Sequence, residues 1–138
     1  MSEPNDWNKK IIEEFHANDG KVGGVFAGFS ILLLTTTGAK SGRQYITPLA
    51  YLPHEDRVII FAANGGAPTH PDWYHNLKAH PQVEVELGTE KFAATAIIIT
   101  GEERDRLCAG QSALARVVVE YQAKTERLIP VIELKRLS

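Results

Sequence analysis

Two short segments carry the residue types best suited to chemistry. The first is Thr35-Thr36-Thr37-Gly38-Ala39-Lys40-Ser41-Gly42-Arg43, where strand-forming residues run into a turn containing two glycines, two cations and a hydroxyl. Such a turn can aim backbone N–H groups, Lys40, Arg43 and Ser41 at one anion, most naturally a phosphate. The same composition also fits a solvated basic hairpin loop. It is not the nucleotide P-loop, which needs an upstream glycine and must open a helix, whereas Tyr45 to Leu52 reads as strand. The second segment is Ala62-Ala63-Asn64-Gly65-Gly66-Ala67-Pro68-Thr69-His70-Pro71, leading into Trp73, Tyr74 and Asn76. The glycine pair permits close backbone approach to a ligand, and the aromatic pair can cover a flat ring; equally, Trp73 and Tyr74 suit a core.

Other chemistries are unsupported. His70, His75 and His80 recur at intervals of five, which does not stack side chains on one helical face, and no carboxylate or cysteine set completes a metal site. Ser30 lies in Ala-Gly-Phe-Ser-Ile, without the second glycine of a nucleophile elbow, and Cys108 has no CxxC partner. Glu84 and Glu86 alternate with valines and read as surface charges on a half-exposed strand. Glu102 to Arg106 reads as a solvated, mixed-charge helix start.

The elements that must hold these segments follow from periodicity. Trp7, Ile11, Ile12 and Phe15 recur at helical spacing, with Asp6 as a cap and Gly20 as a stop, predicting an amphipathic helix over 7–18. Its apolar face fits the protein's own core, a ligand lid or a weak membrane contact assisted by Lys9 and Lys10. Strand-like runs follow at Val25–Thr37 with a break at Gly28, Tyr45–Leu52, Val58–Ala63, Val83–Leu87, Phe92–Thr100 and Val131–Leu137. Short turns pair the second run with the third and the fourth with the fifth as antiparallel hairpins. A short helix lies over His70–Leu77, and a longer helical stretch runs from Gly101 toward Pro130, broken near Gly110. Five or six mainly antiparallel strands with peripheral helices predict a mainly β (α+β) fold, a closed or partly closed barrel in one domain over 1–138.

Composition agrees. At 138 residues, 43% hydrophobic and 23% charged, the chain has the make-up of one globular domain of roughly the usual ~150 residues. Fifteen basic against seventeen acidic side chains leave a net charge of −2, so no general field favours nucleic acid and any anion site must be local. A single cysteine, Cys108, cannot form an internal disulfide. The polar, acidic start is unlike a secretory signal, and Val22–Ala39 is too rich in glycine and threonine for a spanning helix. A cytoplasmic location is expected.

Taken together, Leu32–Arg43, then Thr47-Pro48-Leu49, then Gly65–Leu77 resemble the actinobacterial deazaflavin (F420)-dependent nitroreductase and quinone reductase family, strongly over about residues 25 to 100. The resemblance implies a split antiparallel β-barrel of the FMN-binding, flavin-reductase-like type. It also implies hydride transfer from reduced coenzyme F420 (an 8-hydroxy-5-deazaflavin) to a quinone-like or nitroaromatic acceptor. By that pattern Ala39, Lys40, Ser41 and Arg43 hold the phosphodiester and glutamate tail, with Thr47, Pro48 and Leu49 on the next strand. Ala62, Ala63, Asn64, Gly65 and Gly66 run along the ring, and Trp73 and Asn76 hold the ring edge and polar tail region. Two departures stand out. Family members often carry Ser-Lys where this chain has Ala63-Asn64, and the nitroimidazole-activating members carry several tyrosines on the C-terminal helix where this chain keeps only Tyr121, with Ala115 and Val118 before it. A more apolar acceptor pocket is expected, with Tyr121 or solvent as proton donor to a reduced quinone. An FMN-binding reductase of the same barrel type, or a non-catalytic carrier of the coenzyme or binder of haem or lipid, are the alternatives. The expected partners are the small-molecule acceptor and, for the N-terminal helix, a weak contact at the inner membrane face. The assembly is a monomer or a homodimer, with no metal and no nucleic acid.

Overall fold

The computed structural model describes residues 6–23, 29–54, 57–109 and 112–137. The first helix, α1 (Asp6–Ala17), ends as its sequence predicts: Gly20 takes a left-handed conformation (φ +97°) and returns its N–H to the Phe15 carbonyl at 2.8 Å. Phe15 is 1% exposed and packs with Ile31 and Leu33, so the apolar face of α1 lies on the protein's own core. The side chain of Trp7 and the Gly28 break lie outside the described residues.

Among the described residues seven strands follow: β1 (Ile31–Thr37), β2 (Gln44–Ala50), β3 (Leu52–His54), β4 (Arg57–Phe61), β5 (Gln82–Leu87), β6 (Glu90–Ile99) and β7 (Val131–Arg136). They form one antiparallel sheet in the order β2-β1-β5-β6-β7-β4-β3. Here the single run expected over Tyr45–Leu52 is corrected. It is two strands broken at Tyr51, whose N–H goes to the Ser30 carbonyl at 2.9 Å. The first strand pairs with β1, and only the second makes the expected hairpin with β4. Consequently the two edge strands of the sheet are consecutive in the chain and joined by one residue. A flat sheet of seven strands could not meet that condition, since its edges would stand about 28 Å apart at the usual ~4.7 Å spacing. The sheet therefore curls into a half-barrel, split where Tyr51 crosses from one edge to the other.

Strand alternation sorts the apolar residues onto two faces. Leu32, Leu34, Ile60, Ala62, Val83, Val85, Ile132 and Leu134 form one core with Trp73, Tyr74 and Leu77 of α2 (Asp72–Ala79). Ile59, Phe61, Ala63, Ile99 and Val131 form another with Leu107 of α3 (Gly101–Cys108) and Val118 of α4 (Ala113–Gln122). Pro71 caps α2 rather than sitting in its first turn. Pro48 is tolerated in β2 because β2 is an edge strand, where the missing N–H breaks no ladder.

One surface reading is corrected. Within the charged run 102–106, Arg104 is 8% exposed and donates to the Ile129 carbonyl at 2.7 and 3.2 Å and to Gln122 Oε1 at 3.3 Å. Its burial is tolerable because these acceptors satisfy it. Glu103 on the same helix pairs with Arg57 at 3.2 Å. On β5, Glu86 is likewise covered, its carboxylate receiving His16 of α1 at 2.8 Å. No helix among the described residues is long and apolar enough to cross a membrane.

Candidate functional site

The β1–β2 turn is a tight basic loop. Gly38 donates to the Arg43 carbonyl at 2.6 Å, Gly42 (φ +72°) returns an N–H to the Gly38 carbonyl at 3.0 Å, and the Arg43 N–H reaches the Ser41 hydroxyl at 3.2 Å. Ser41 also bonds the Tyr45 hydroxyl at 3.1 Å. Much of the loop's backbone is therefore engaged internally. What it presents outward is charge: Lys40 and Arg43 are exposed, and neither forms an ion pair among the described residues.

The loop is tied to α2. Asn76 accepts the Ala39 N–H on Oδ1 at 3.0 Å and donates from Nδ2 to the Thr36 hydroxyl at 3.3 Å. One amide thus clamps the end of β1 and the loop after it. The helix bearing Asn76 is also the continuation of the second sequence-predicted segment, so α2 joins the two. Thr47, Pro48 and Leu49 stand opposite Leu34, Leu33 and Leu32 on β2, and Leu49 packs on the core that contains Trp73. Trp73 is 8% exposed and Asn76 is occupied by the clamp, so both act here as supports.

The second segment leaves β4 and turns sharply at the 3-10 turn Asn64–Gly66, with Asn64 (φ +49°) and Gly66 (φ +83°) both left-handed. Asn64 stabilises this by donating its side chain to the Thr69 carbonyl at 3.0 Å. A methyl group on Gly66 would stand 3.1 Å from the Tyr121 carbonyl and from Lys124 Cβ, so the turn lies against the end of α4. Tyr121 is half-buried there, with the Lys124 ammonium 5.6 Å from its ring centre. Ala115 and Val118 are buried, 0% and 2% exposed, in the packing of α4.

Sequence reasoning missed the residue that holds this segment. Arg127, half-buried in the connection before β7, donates to the carbonyls of Ala62 (3.1 Å), Ala63 (2.7 Å) and Ala67 (2.8 Å) and to His70 Nδ1 (3.0 Å). An isolated arginine in a loop has no spacing signature, and its targets are main-chain atoms about sixty positions away. Gln122 completes the arrangement: its Nε2 donates to the Arg127 carbonyl at 2.7 Å, while its Oε1 accepts from Ile129 N at 2.9 Å and from Arg104. Burial, the Arg127 charge, His75 and Lys78 all lower the His70 pKa, in that order. His70 is thus neutral at pH 7, and since Nδ1 accepts, its proton is on Nε2. Its ring lies 4.7 Å from Tyr74 and 5.8 Å from His75, yet no group of metal-binding side chains forms among the described residues.

The sequence model of the F420H(2)-dependent quinone reductase family matches residues 7–135. An F420H(2)-dependent quinone reductase of Mycobacterium tuberculosis is 37% identical over 126 residues, covering 88% of this chain and 85% of that protein. A solved F420-H2 dependent reductase superposes with a TM-score of 0.65 at 40% identity, over 76% of this chain and 93% of the other. A second solved chain, described as a domain-swapped dimer, superposes with a TM-score of 0.69 at 36% identity, over 96% and 99%.

Proposed function

This chain belongs to the F420H(2)-dependent quinone reductase family, and from that premise we propose that its acceptor is quinone-like, with Lys40, Ser41 and Arg43 holding the coenzyme's anionic tail. Membership of that family makes the chain an F420-dependent reductase. The observation that carries the tail assignment is the basic loop itself, two exposed cations with no ion pair among the described residues on a chain of net charge −2; the quinone-like acceptor is supported by the relatives. The donor set fits the coenzyme, whose phosphodiester and glutamate tail are anionic, and Asn76 fixes the loop relative to α2.

In this reading the Ala62–Gly66 segment lies along the ring, with Trp73 and Asn76 supporting it from behind. Thr47, Pro48 and Leu49 form the strand floor beside the tail. When bound, the coenzyme supplies the hydride, from C5 of its ring. The chain's own part is orientation and exclusion of water, for which a rigid, internally bonded loop is suited. Tyr121 is the proton donor we assign for the reduced acceptor, because the end of its helix abuts Gly66 and its ring is only half covered. A relative described as a domain-swapped dimer supports a homodimer, checked by light scattering. Any membrane-surface contact would use Lys9 and Lys10, which are exposed, rather than Phe15, which is buried; sedimentation with anionic liposomes tests it.

The test is a fluorescence titration with oxidised F420 and, in parallel, FMN, followed by reoxidation of the reduced coenzyme by menadione and by a nitroimidazole. The Lys40→Ala/Arg43→Ala variant should bind F420 about 10-fold or more weakly. Unchanged affinity in that variant refutes the tail assignment. Turnover with the nitroimidazole but not menadione refutes the acceptor, and binding without turnover points to the carrier reading.

A further inference from the structure

Arg127 holds the ring segment from one side only, and the geometry of the peptide fixes what the other side presents. Ala62 continues the β4–β7 ladder, its N–H reaching the Pro130 carbonyl at 3.0 Å, and its own carbonyl points the same way, to Arg127 at 3.1 Å. Ala63 is the turning point. Its helical conformation (φ −78°, ψ −33°) swings its carbonyl back to the guanidinium as well, at 2.7 Å. No peptide bond among the described residues is cis. In a trans peptide the N–H is antiparallel to the carbonyl, so the N–H groups of Ala63 and Asn64 both point away from Arg127. Neither N–H has a hydrogen-bond acceptor among the described residues. The edge of β4 they extend is also open: the β3–β4 ladder ends at Leu52↔Ile59, and the chain beyond Leu52 departs through Tyr51 to the opposite edge of the sheet. Two adjacent unpaired donors in a helical-then-left-handed turn are a standing site for an acceptor atom.

We propose that Arg127 is a positioning residue for the coenzyme: by gathering the carbonyls of Ala62, Ala63 and Ala67, it fixes the Ala63 and Asn64 N–H groups as a donor pair for an acceptor atom of the deazaflavin ring. This rests on the F420 reading above. It also explains how the chain manages with Ala63-Asn64, since the recognition comes from main-chain donors and the side chains at these positions need not take part. Asn64 and Gly66 supply the left-handed turn, and Gln122 and Arg104 set the height of Arg127 by fixing the loop that carries it.

The test uses two ligands, oxidised F420 and its tail-less deazaflavin–ribitol fragment, titrated by fluorescence into the full-length protein. In Arg127→Ala both affinities should fall by roughly 10- to 100-fold, the order expected when charge-assisted hydrogen bonds are lost, leaving their ratio unchanged. Added guanidinium ion should restore part of the loss, which a general structural defect would not allow. Ala63→Pro is the independent variant, since φ −78° suits proline and only the N–H is removed. It should weaken the fragment about 5- to 10-fold at unchanged melting temperature, and it decides the matter if Arg127→Ala does not fold. Wild-type affinity for the fragment in Ala63→Pro, or in a folded Arg127→Ala, overturns the proposal. Failure of the unaltered protein to bind either ligand instead overturns the F420 reading. Loss confined to F420, with the fragment unaffected, overturns the assignment to the ring.

Discussion

Replacing Asn76 by Asp separates the two functions of the clamp. The carboxylate keeps an oxygen for the Ala39 N–H, 3.0 Å away, and its second oxygen can accept from the Thr36 hydroxyl, which turns from acceptor to donor. Asn76→Asp should therefore melt within about 0.5 kcal/mol of the original, whereas Asn76→Ala loses both bonds and about 1–2 kcal/mol. What the aspartate changes is the field at the basic loop. For an anion seated beyond Ala39 at a separation on the order of 8 Å, taken as an assumption, an effective dielectric of 40–80 gives a cost of about 0.5–1 kcal/mol per anionic group, or about 2- to 5-fold in affinity. Titration of Asn76→Asp with F420 should show that loss at low salt and recover it at 1 M salt, where the screening length is about 3 Å. The tail-less fragment should bind as it does to the original protein. If Asn76→Asp binds F420 undiminished at low salt, or if its deficit persists at 1 M salt, the anion does not lie at this loop.

Arg104→Ala should destabilise by about 1–3 kcal/mol in urea unfolding, because it leaves the buried Ile129 carbonyl without a donor and removes one of the two donors to Gln122 Oε1; a loss under about 0.5 kcal/mol would refute the buried network. His70 has a folded pKa below its ordinary 6.5, so the folded state resists its protonation. Its contribution is complete above pH 6.5 and is lost as the pH falls through the folded value. Melting temperature should therefore decline below pH 6.5, and a His70→Asn variant should show a shallower decline over the same window. Gly66→Ala should cost about 1–3 kcal/mol, combining a left-handed conformation with a methyl group 3.1 Å from the Tyr121 carbonyl. An unchanged melting temperature there would mean that the turn does not abut α4.

The helix over 7–18, the hairpin around Gly88 and the break between α3 and α4 were legible because each depends on residues close in sequence: an apolar period, a turn glycine, a run of strand formers. The same holds for the basic loop, whose cations and glycines lie within six positions. The division of Tyr45–Leu52 was not legible. Nothing local distinguishes one continuous strand from two, and the break exists because β2 must pair with β1 while β3 pairs with β4.

The same line runs through the site. Sequence alone determined its chemical inventory, a basic turn and a glycine-rich segment in the order and separation of an F420-dependent family, since motif residues carry their type with them. Only the tertiary structure decided how they are held. Asn76 proves to be a clamp, Trp73 a core residue, Arg104 a buried donor and Arg127 the anchor of segment 62–67. The reason is physical: Trp73 is placed by packing, and the roles of Asn76, Arg104 and Arg127 are defined by hydrogen bonds to main-chain atoms up to sixty-five positions distant. Every residue offers such atoms, so side-chain types cannot single out the partner until the sheet has curled and brought it near.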